Sequence, residues 1–266
     1  MSVSLIEFDR VHLEIGGRVL VNQFDFSMEE GEHVGLIGPS GAGKTTFINL
    51  FLGLLKPTSG TVRLFGKDVS ELNDHTLELM RMEMGMMFQT NALFPEWTVY
   101  ENIAFPVRYH FRVPEPVLKQ LVLMKLDAVG LRGAQHLMPS ELSGGMARRV
   151  ALARAMVLDP KFLIYDEPFT GQDPVTKSTL KDLMKQVHSR FEVSSLMVSH
   201  DIRDLSEVVD KMIVIRSGRI IASGATDEIM NSKDDDVRNF ILGTGKTVQS
   251  LSKRSLTEDI LESGGA

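Results

Sequence analysis

The amino-acid sequence predicts an α/β fold in which helices cover both faces of a parallel sheet. Unbroken apolar runs at residues 33–37, 162–165 and 194–199 have the composition of buried parallel strands. Helix-like stretches separate these runs along the chain, and such alternation is typical of parallel sheets. A glycine-rich loop, GPSGAGKTT at residues 38–46, joins the first run to a helix-like stretch.

Length and composition indicate an ordinary globular protein. The chain has 266 residues, 43% hydrophobic and 24% charged, which is enough for one large domain or a domain with a subdomain. A formal net charge of -6 argues against general nucleic-acid binding. Cysteine is absent, which excludes disulfides, thiolate metal sites and a cysteine nucleophile. The sequence has neither an apolar signal core nor a bilayer-length apolar stretch, so we expect a soluble protein that reaches any membrane through partners.

The first predicted elements are a hairpin and a strand–loop–helix unit. Residues 3–21 alternate between apolar and polar side chains and turn at Gly16-Gly17, which predicts an antiparallel hairpin. The run at residues 33–37 is predicted to be the strand that enters the glycine-rich loop. Residues 46–55 are predicted to be the helix that follows it.

The next segment is predicted to return to strands. Residues 56–60, KPTSG, break the helix, and residues 61–65 form a short strand. Methionines alternate between residues 80 and 87, just before Phe88-Gln89. We interpret this alternation as a buried strand with flexible side chains. A thioether metal site is the less favoured alternative, because alternation puts these side chains on one sheet face.

Residues 90–157 are predicted to be helical. Pro114 and Pro116 begin one helix of this region, and Gly130 ends it. Further along, residues 212–222 contain two short apolar runs around Ser217-Gly218, which predicts a second hairpin.

The glycine-rich loop has the chemistry of a phosphate-binding site. It fills the pattern G-x-x-x-x-G-K-[ST], whose glycines let successive N–H groups point at phosphate oxygens. The helix N-terminus adds partial positive charge, Lys44 is expected to reach the outer phosphates, and Thr45 to hold Mg²⁺. The flanking strand and helix disfavour a chance glycine-rich turn. The predicted nucleotide-binding residues are Gly38, Pro39, Ser40, Gly41, Ala42, Gly43, Lys44, Thr45 and Thr46.

Two carboxylates, Asp166-Glu167, follow the buried strand at residues 162–165. Ligands of open α/β sheets bind at the carboxyl ends of the strands. Asp166 is therefore predicted to hold Mg²⁺, and Glu167 to orient or deprotonate the water that attacks the γ-phosphate. A solvated acidic turn is the alternative.

A second anion site is predicted at residues 142–146, LSGGM, ahead of another helix. Ser143 is a favourable N-cap, and Gly144 and Gly145 expose backbone N–H groups. Helix capping alone is the simpler alternative. One nucleotide does not need two such sites from one chain, whereas two chains facing head to tail would each lend this site to the other's nucleotide.

Six motifs occur in order along the chain: GPSGAGKTT, MMFQ with Gln89, LSGGM, FLIYDE, Gln172-Asp173-Pro174 and MVSHD with His200. Together they make the chain resemble the ATPase subunit of an ABC transporter over residues 1–242. This resemblance implies a P-loop NTPase (RecA-like) core, an antiparallel β hairpin subdomain and a helical subdomain inserted at about residues 90–157. It also implies ATP hydrolysis to ADP and phosphate, coupled to transport, with ATP and Mg²⁺ as cofactors.

The resemblance also implies roles for single residues. Gln89 resembles the glutamine that contacts Mg²⁺ and the attacking water, so that Thr45, Gln89 and Asp166 would surround the ion. Asp173 resembles the aspartate that reaches across the dimer interface. His200 resembles the histidine that contacts the γ-phosphate, although taken alone it would be a structural histidine at a strand end.

Two departures from the common family pattern point to a subgroup. Ile15 occupies the position where the family usually stacks an aromatic residue on adenine, so the base is expected to depend on apolar contact or on another segment. The second motif ends in Met146 instead of Gln. MPSELSGGMARRVALARA and YDEPFTGQDPVT resemble the ATPases of Mla-type, MCE-linked phospholipid transport systems.

The subgroup implies partners and a location. They are a second copy of the chain, an integral-membrane permease, an MCE-type lipid-binding protein and a small STAS-domain subunit, at the cytoplasmic side of the inner membrane. The alternatives are an importer of amino acids or metals, a soluble ABC protein and a nucleoside kinase. The polar tail at residues 243–266 is expected to be disordered or to bind a partner chain.

Overall fold

Two β-sheets and the helices around them make up the structure, a computed structural model that describes residues 4–241. Strands alternate with helices after the first hairpin, which confirms the predicted α/β class. The strands are β1 (Ser4–Ile15), β2 (Arg18–Glu29), β3 (His33–Ile37), β4 (Ser59–Leu64), β5 (Lys67–Asp68), β6 (Met84–Met87), β7 (Phe162–Asp166), β8 (Ser194–Ser199), β9 (Lys211–Arg216) and β10 (Arg219–Ala225). The helices are α1 (Lys44–Phe51), α2 (Asp74–Met82), α3 (Val99–His110), α4 (Glu115–Ala128), α5 (Gly144–Ala155), α6 (Pro174–Phe191), α7 (Ile202–Ser206), α8 (Thr226–Met230) and α9 (Asp235–Ile241).

The smaller sheet is antiparallel, with the strand order β2-β1-β4-β5. Its first two strands form the predicted hairpin, in which Ile15 pairs with Arg18 across Gly16 and Gly17. Both glycines have positive φ, +58° and +76°, a conformation that costs other residues steric strain. Aromatic rings from this sheet pack against α1, for example Phe24 against Phe47 with centroids 4.2 Å apart.

The larger sheet has the strand order β10-β9-β3-β8-β7-β6, and among its pairs within residues 4–241 only β9–β10 is antiparallel. Its side chains alternate between two cores, as the strand period requires. Ile164 and Leu196 face the core shared with α1 and the smaller sheet. Tyr165 and Met197, one residue further along each strand, face the core formed with the remaining helices.

The strand order brings three strand ends together. In the sheet β8 lies between β3 and β7, and all three strands are parallel. Their carboxyl ends, at Ile37, Asp166 and Ser199, therefore meet at one edge. The segments that follow these ends carry the predicted phosphate loop, Glu167 and His200.

The strand predicted at residues 61–65 is observed at Ser59–Leu64, and two other predicted elements differ more. Helix α1 begins at Lys44 instead of residue 46 and ends at Phe51 instead of residue 55, shortly before Gly53 at φ +62°. The interpretation of residues 80–87 as one strand is wrong, because only Met84–Met87 is extended. Met80 belongs to α2, where it is buried three residues after Leu77, and this spacing fits a helix.

The region at residues 90–157 contains α3, α4 and α5. Pro114 is the N-cap of α4, and Gly130 follows that helix at φ +68°, as predicted. None of the helices within residues 4–241 has both the length and the apolar character needed to span a bilayer. The tail predicted at residues 243–266 lies outside the described residues, and the domain boundary at residue 242 stays a prediction.

Candidate functional site

The glycine-rich loop between β3 and α1 is shaped to bind an anion. Gly41 and Gly43 have positive φ, +78° and +103°. A Cβ atom at Gly38 would lie 2.6 Å from the carbonyl oxygen of Ile215, so no larger residue fits there. Helix α1 begins without a side-chain cap and without an acidic residue in its first turn. Its first N–H groups are thus available to phosphate oxygens.

The Lys44 ammonium lies over this loop. It donates hydrogen bonds to the carbonyl oxygens of Gly38, at 2.8 Å, and of Pro39, at 3.2 Å. It also lies 3.7 Å from Oε1 of Glu167. Burial lowers the pKa of Lys44, and the charges of Glu167 and Asp166 oppose that shift. The lysine charge is therefore held between the loop and the carboxylates.

Asp166 and Glu167 continue directly from β7. Asp166 is half-buried, and its pKa is raised by burial and by the charge of Glu167, against the opposing effect of Lys44. Glu167 has φ +49° and is only 7% exposed. Its backbone N–H donates to Val198 O at 2.8 Å, which ties the turn to β8. A cation beside Asp166 would relieve this concentration of negative charge.

Three side chains contact the same oxygen of Glu167. Thr170 Oγ1 donates to Oε2 at 3.0 Å and Ser199 Oγ at 3.3 Å, while His200 Nδ1 lies 2.8 Å from it. Oε1, the other oxygen, faces Lys44. The carboxylate is therefore oriented from both ends, and the exposed His200 connects it to solvent.

Lys44, Asp166, Glu167 and His200 line one cleft of about 890 Å³. Gly38 and Ala42 support the loop from behind, since Ala42 is only 4% exposed and Gly38 packs on Ile215. Ile15 is not among the lining residues of the cleft within residues 4–241, although half of its surface is exposed. The lining consists of Arg18, Leu20, Pro39, Ser40, Gly41, Gly43, Lys44, Thr45, Thr46, Gln89, Asp166, Glu167, His200, Asn239 and Phe240.

The predicted second anion site lies apart from the lining of this cleft. Ser143 caps α5, accepting a hydrogen bond from Met146 N at 3.2 Å, as predicted. Ser143 and Gly144 are exposed. A Cβ atom at Gly144 would lie 3.7 Å from the side-chain nitrogen of Gln172, so the two motifs are neighbours.

Asp173 belongs to the same surface as Ser143. It caps α6 by accepting hydrogen bonds from Val175 N at 3.0 Å and Thr176 N at 3.1 Å. Hydrogen bonds from the Thr176 hydroxyl and backbone lower the pKa of Asp173. Thr176 in turn approaches Gly145, where a Cβ atom would lie 3.0 Å from its methyl carbon. The residues predicted to act on a partner's nucleotide thus form one exposed surface.

Arg148, on α5, connects the second site to the cleft. It is only 5% exposed, and burial lowers its pKa. Its guanidinium donates to the carbonyl oxygen of Gln89 at 3.4 Å and to that of Thr170. One side chain thus joins the helix behind Ser143 to two segments that border Glu167.

Comparison with known proteins decides which class of nucleotide site this is. A family model described as ABC transporter matches residues 21–170. The chain belongs to the ABC transporter family. The identification predicted from the ordered motifs is therefore confirmed, and as a member of this family the chain is an ATPase.

Related proteins align with nearly the whole length of this ABC transporter family member. A Haemophilus influenzae protein, the intermembrane phospholipid transport system ATP-binding protein MlaF, is 42% identical over 91% of this chain and 92% of its own length. MlaF of Escherichia coli K12 is 39% identical over 90% and 89%. A solved dimeric ATP-binding cassette, bound to ADP and Pi after hydrolysis, has a TM-score of 0.74 at 27% identity and covers 83% of this chain and 98% of that one. The predicted P-loop NTPase fold is confirmed.

Sequence reasoning missed several residues that line the cleft or hold Glu167 in place. Thr170 and Ser199 could have been suspected, because each hydroxyl stands close in sequence to a motif, three residues after Glu167 and one before His200. Arg18 and Phe240 gave no signal, since they reach the cleft only through tertiary packing.

Proposed function

We propose that the chain is the ATP-hydrolysing subunit of a transporter that moves phospholipid between the inner and outer membranes and maintains outer-membrane lipid asymmetry. The observation that carries the chemistry is that Glu167, which lines the phosphate-loop cleft, contacts Lys44, Thr170, Ser199 and His200. The cargo rests on 42% and 39% identity to proteins named for intermembrane phospholipid transport.

In the proposed reaction the N–H groups of residues 41–46 and the Lys44 ammonium bind the phosphates. The γ-phosphate then faces Gln89, Glu167 and His200 at the other wall of the cleft. Glu167 positions the attacking water and takes its proton, and Lys44 and His200 stabilise the charge of the transferred group. Thr170 and Ser199 hold the Glu167 carboxylate in position during this step.

Mg²⁺ fits the donors that this wall offers. Thr45 supplies a hydroxyl, Asp166 a carboxylate and Gln89 an amide oxygen, which are the hard oxygen ligands that Mg²⁺ prefers. Residues 4–241 hold no cluster of three or more His, Asp or Glu side chains arranged for a metal, so phosphate oxygens would complete the shell. The ion would neutralise charge on the phosphates.

A second copy of the chain completes each site in this proposal. The N-terminus of α5 has no acidic residue in its first turn, and its exposed Ser143 and Gly144, with the half-buried Gly145, suit a γ-phosphate held by another chain. Asp173, on the same surface, would contact the partner across the interface. The dimeric cassette with ADP and Pi supports this arrangement by its fold.

Heterodimers test the exchange of sites. Ser143→Glu puts a carboxylate opposite the γ-phosphate and is expected to abolish hydrolysis in the homodimer. Co-expression with a Glu167→Gln chain under a different tag yields heterodimers with one intact composite site. Their ATPase rate is expected to be about half that of the wild-type dimer. Inactive heterodimers would show that each chain uses its own Ser143.

The membrane partner is proposed to bind a groove next to Gln89. Phe88, the preceding residue, is 43% exposed, and Phe94 is 38% exposed. Both line this groove together with Phe105 and with Met84 and Met86 of β6. We propose that it receives a segment of the permease, because movement of Phe88 would reach the cleft through the adjacent Gln89.

Purification from native membranes tests the proposed assembly. Tagged full-length chain in mild detergent is expected to bring down a permease, an MCE-type protein, a STAS-domain subunit and bound phospholipid, which would place it at the cytoplasmic side of the inner membrane. Phe94→Ser is expected to lose the permease, whereas Val117→Ser, exposed on α4, retains it. Recovery of a different permease, such as an amino-acid or metal importer, would discard the cargo.

A further inference from the structure

The hairpin offers the base of the nucleotide no aromatic surface, since position 15 is Ile15 and that residue does not line the cleft within residues 4–241. Different residues line the two ends of the cleft. Gln89, Asp166, Glu167 and His200 form the wall where hydrolysis is proposed. A triphosphate bound along the phosphate loop with its γ-phosphate at that wall directs its ribose and base to the opposite end.

The opposite end is bounded by β2 and α9. Arg18 and Leu20 come from β2, and Asn239 and Phe240 from α9. Leu20 borders the phosphate loop directly, since a Cβ atom at Gly43 would lie 3.5 Å from its carbonyl oxygen. The base of a nucleotide whose phosphates are bound by the loop would therefore lie between Leu20 and the end of α9.

The turn between β9 and β10 fixes this end of the cleft. Gly218 N donates to Ala42 O at 3.1 Å, and Gly218 O accepts from Asn22 N at 3.0 Å. A Cβ atom at Gly218 would lie 2.2 Å from Leu20 O, so only glycine fits. The turn therefore fixes the distance between the phosphate loop and β2.

Helix α9 is anchored beside the same turn. Asp236 Oδ1 accepts from Arg216 Nη1 at 2.9 Å, at the end of β9. Val237 is fully buried, and Phe240, three residues later, lies on the same side of the helix. Phe240 is half-buried, packing partly against the core and partly lining the cleft. Its ring is held in place at the end where the base emerges.

We propose that Phe240 is the residue on which the nucleotide base stacks, in place of an aromatic residue at position 15. The proposal rests on the ATP binding proposed above. A phenyl ring offers a flat apolar surface, and stacking on it is tolerant of the base because every base has a π face. ATP and GTP are therefore expected to bind with affinities within about threefold of each other.

Comparison of two ligands separates base stacking from a structural role. Equilibrium binding of ATP and of inorganic tripolyphosphate is measured on the full-length chain and its variants. Phe240→Ala is expected to weaken ATP about 10-fold and to leave tripolyphosphate unchanged, because only ATP carries a base. Phe240→Trp restores ATP binding. Phe111→Ala, at an exposed ring after α3, serves as the matched control and leaves both affinities unchanged.

The outcomes distinguish the inference from the proposed function. Equal weakening of ATP and tripolyphosphate by Phe240→Ala would show that α9 only supports the fold. The stacking role of Phe240 would also be refuted if Phe240→Ala left the affinity for ATP unchanged. The same holds if Arg18→Ala weakened ATP binding and Phe240→Ala did not. A wild-type chain that binds neither ligand would refute the proposed function, and this inference with it.

Discussion

Replacing Glu167 by Gln is expected to lower ATP hydrolysis about 10³-fold and to leave ATP binding nearly unchanged. Gln keeps the size of the side chain and one oxygen that accepts the hydrogen bonds of Thr170 and Ser199. It cannot take a proton from water. The residues that bind phosphate, Lys44 among them, are untouched. ATP should therefore bind, close the dimer and remain unhydrolysed.

The measurement is steady-state ATPase activity together with the oligomeric state in ATP and Mg²⁺. The variant is expected to accumulate as an ATP-bound dimer, whereas the wild-type chain returns to the open state after hydrolysis. Glu192→Gln, at the exposed C-cap of α6, makes the same chemical change away from the cleft and serves as the control. Normal turnover of Glu167→Gln would refute its assignment as the base.

Local motifs account for what sequence reasoning predicted of the site. The phosphate loop, Asp166 and Glu167 are each recognisable within a few residues, because strand, turn and helix start follow one another directly. Gln89 and His200 were predicted through the family resemblance, and the structure brings both to the same cleft. Their catalytic roles stay predictions.

The sequence alone could not predict cleft residues whose position depends on packing between distant segments. Phe240 reaches the cleft because Asp236 and Val237 anchor α9 beside β9. No spacing in the sequence encodes that contact. Met80 was misassigned for a related reason, since an unbranched side chain fits a helix or a strand and its environment decides.

Ion pairs connect α6 with α7, the helices that follow Asp173 and His200. Lys177 and Lys181, on α6, contact Asp204 on α7 at 2.5 Å and 3.0 Å. Burial would raise the pKa of Asp204, but the hydrogen bonds from the two lysines outweigh it and the pKa is lowered. Helix α6, which Asp173 caps, is thereby joined to α7, which follows His200.

Arg148→Met is expected to lower kcat for ATP hydrolysis about 10²-fold and to change KM for ATP little. Arg148 donates to the carbonyl oxygens of Gln89 and Thr170, and Thr170 in turn orients Glu167. Loss of the guanidinium lets these groups shift, and displacement by about 1 Å can cost 10²-fold in rate. KM is preserved because Arg148 does not contact the phosphate loop in any of its hydrogen bonds within residues 4–241.

Two further variants of α5 test whether Arg148 positions Glu167 or only stabilises the fold. Arg148→Lys keeps the charge but loses the planar fork that reaches two carbonyls, so it is expected to restore stability more than kcat. Arg149→Met removes the next arginine, half-buried near Gly130, and should leave kcat unchanged. Thermal unfolding is measured beside the kinetics. A fall in kcat that only follows the folded fraction would show that Arg148 stabilises the helix and does not position Glu167.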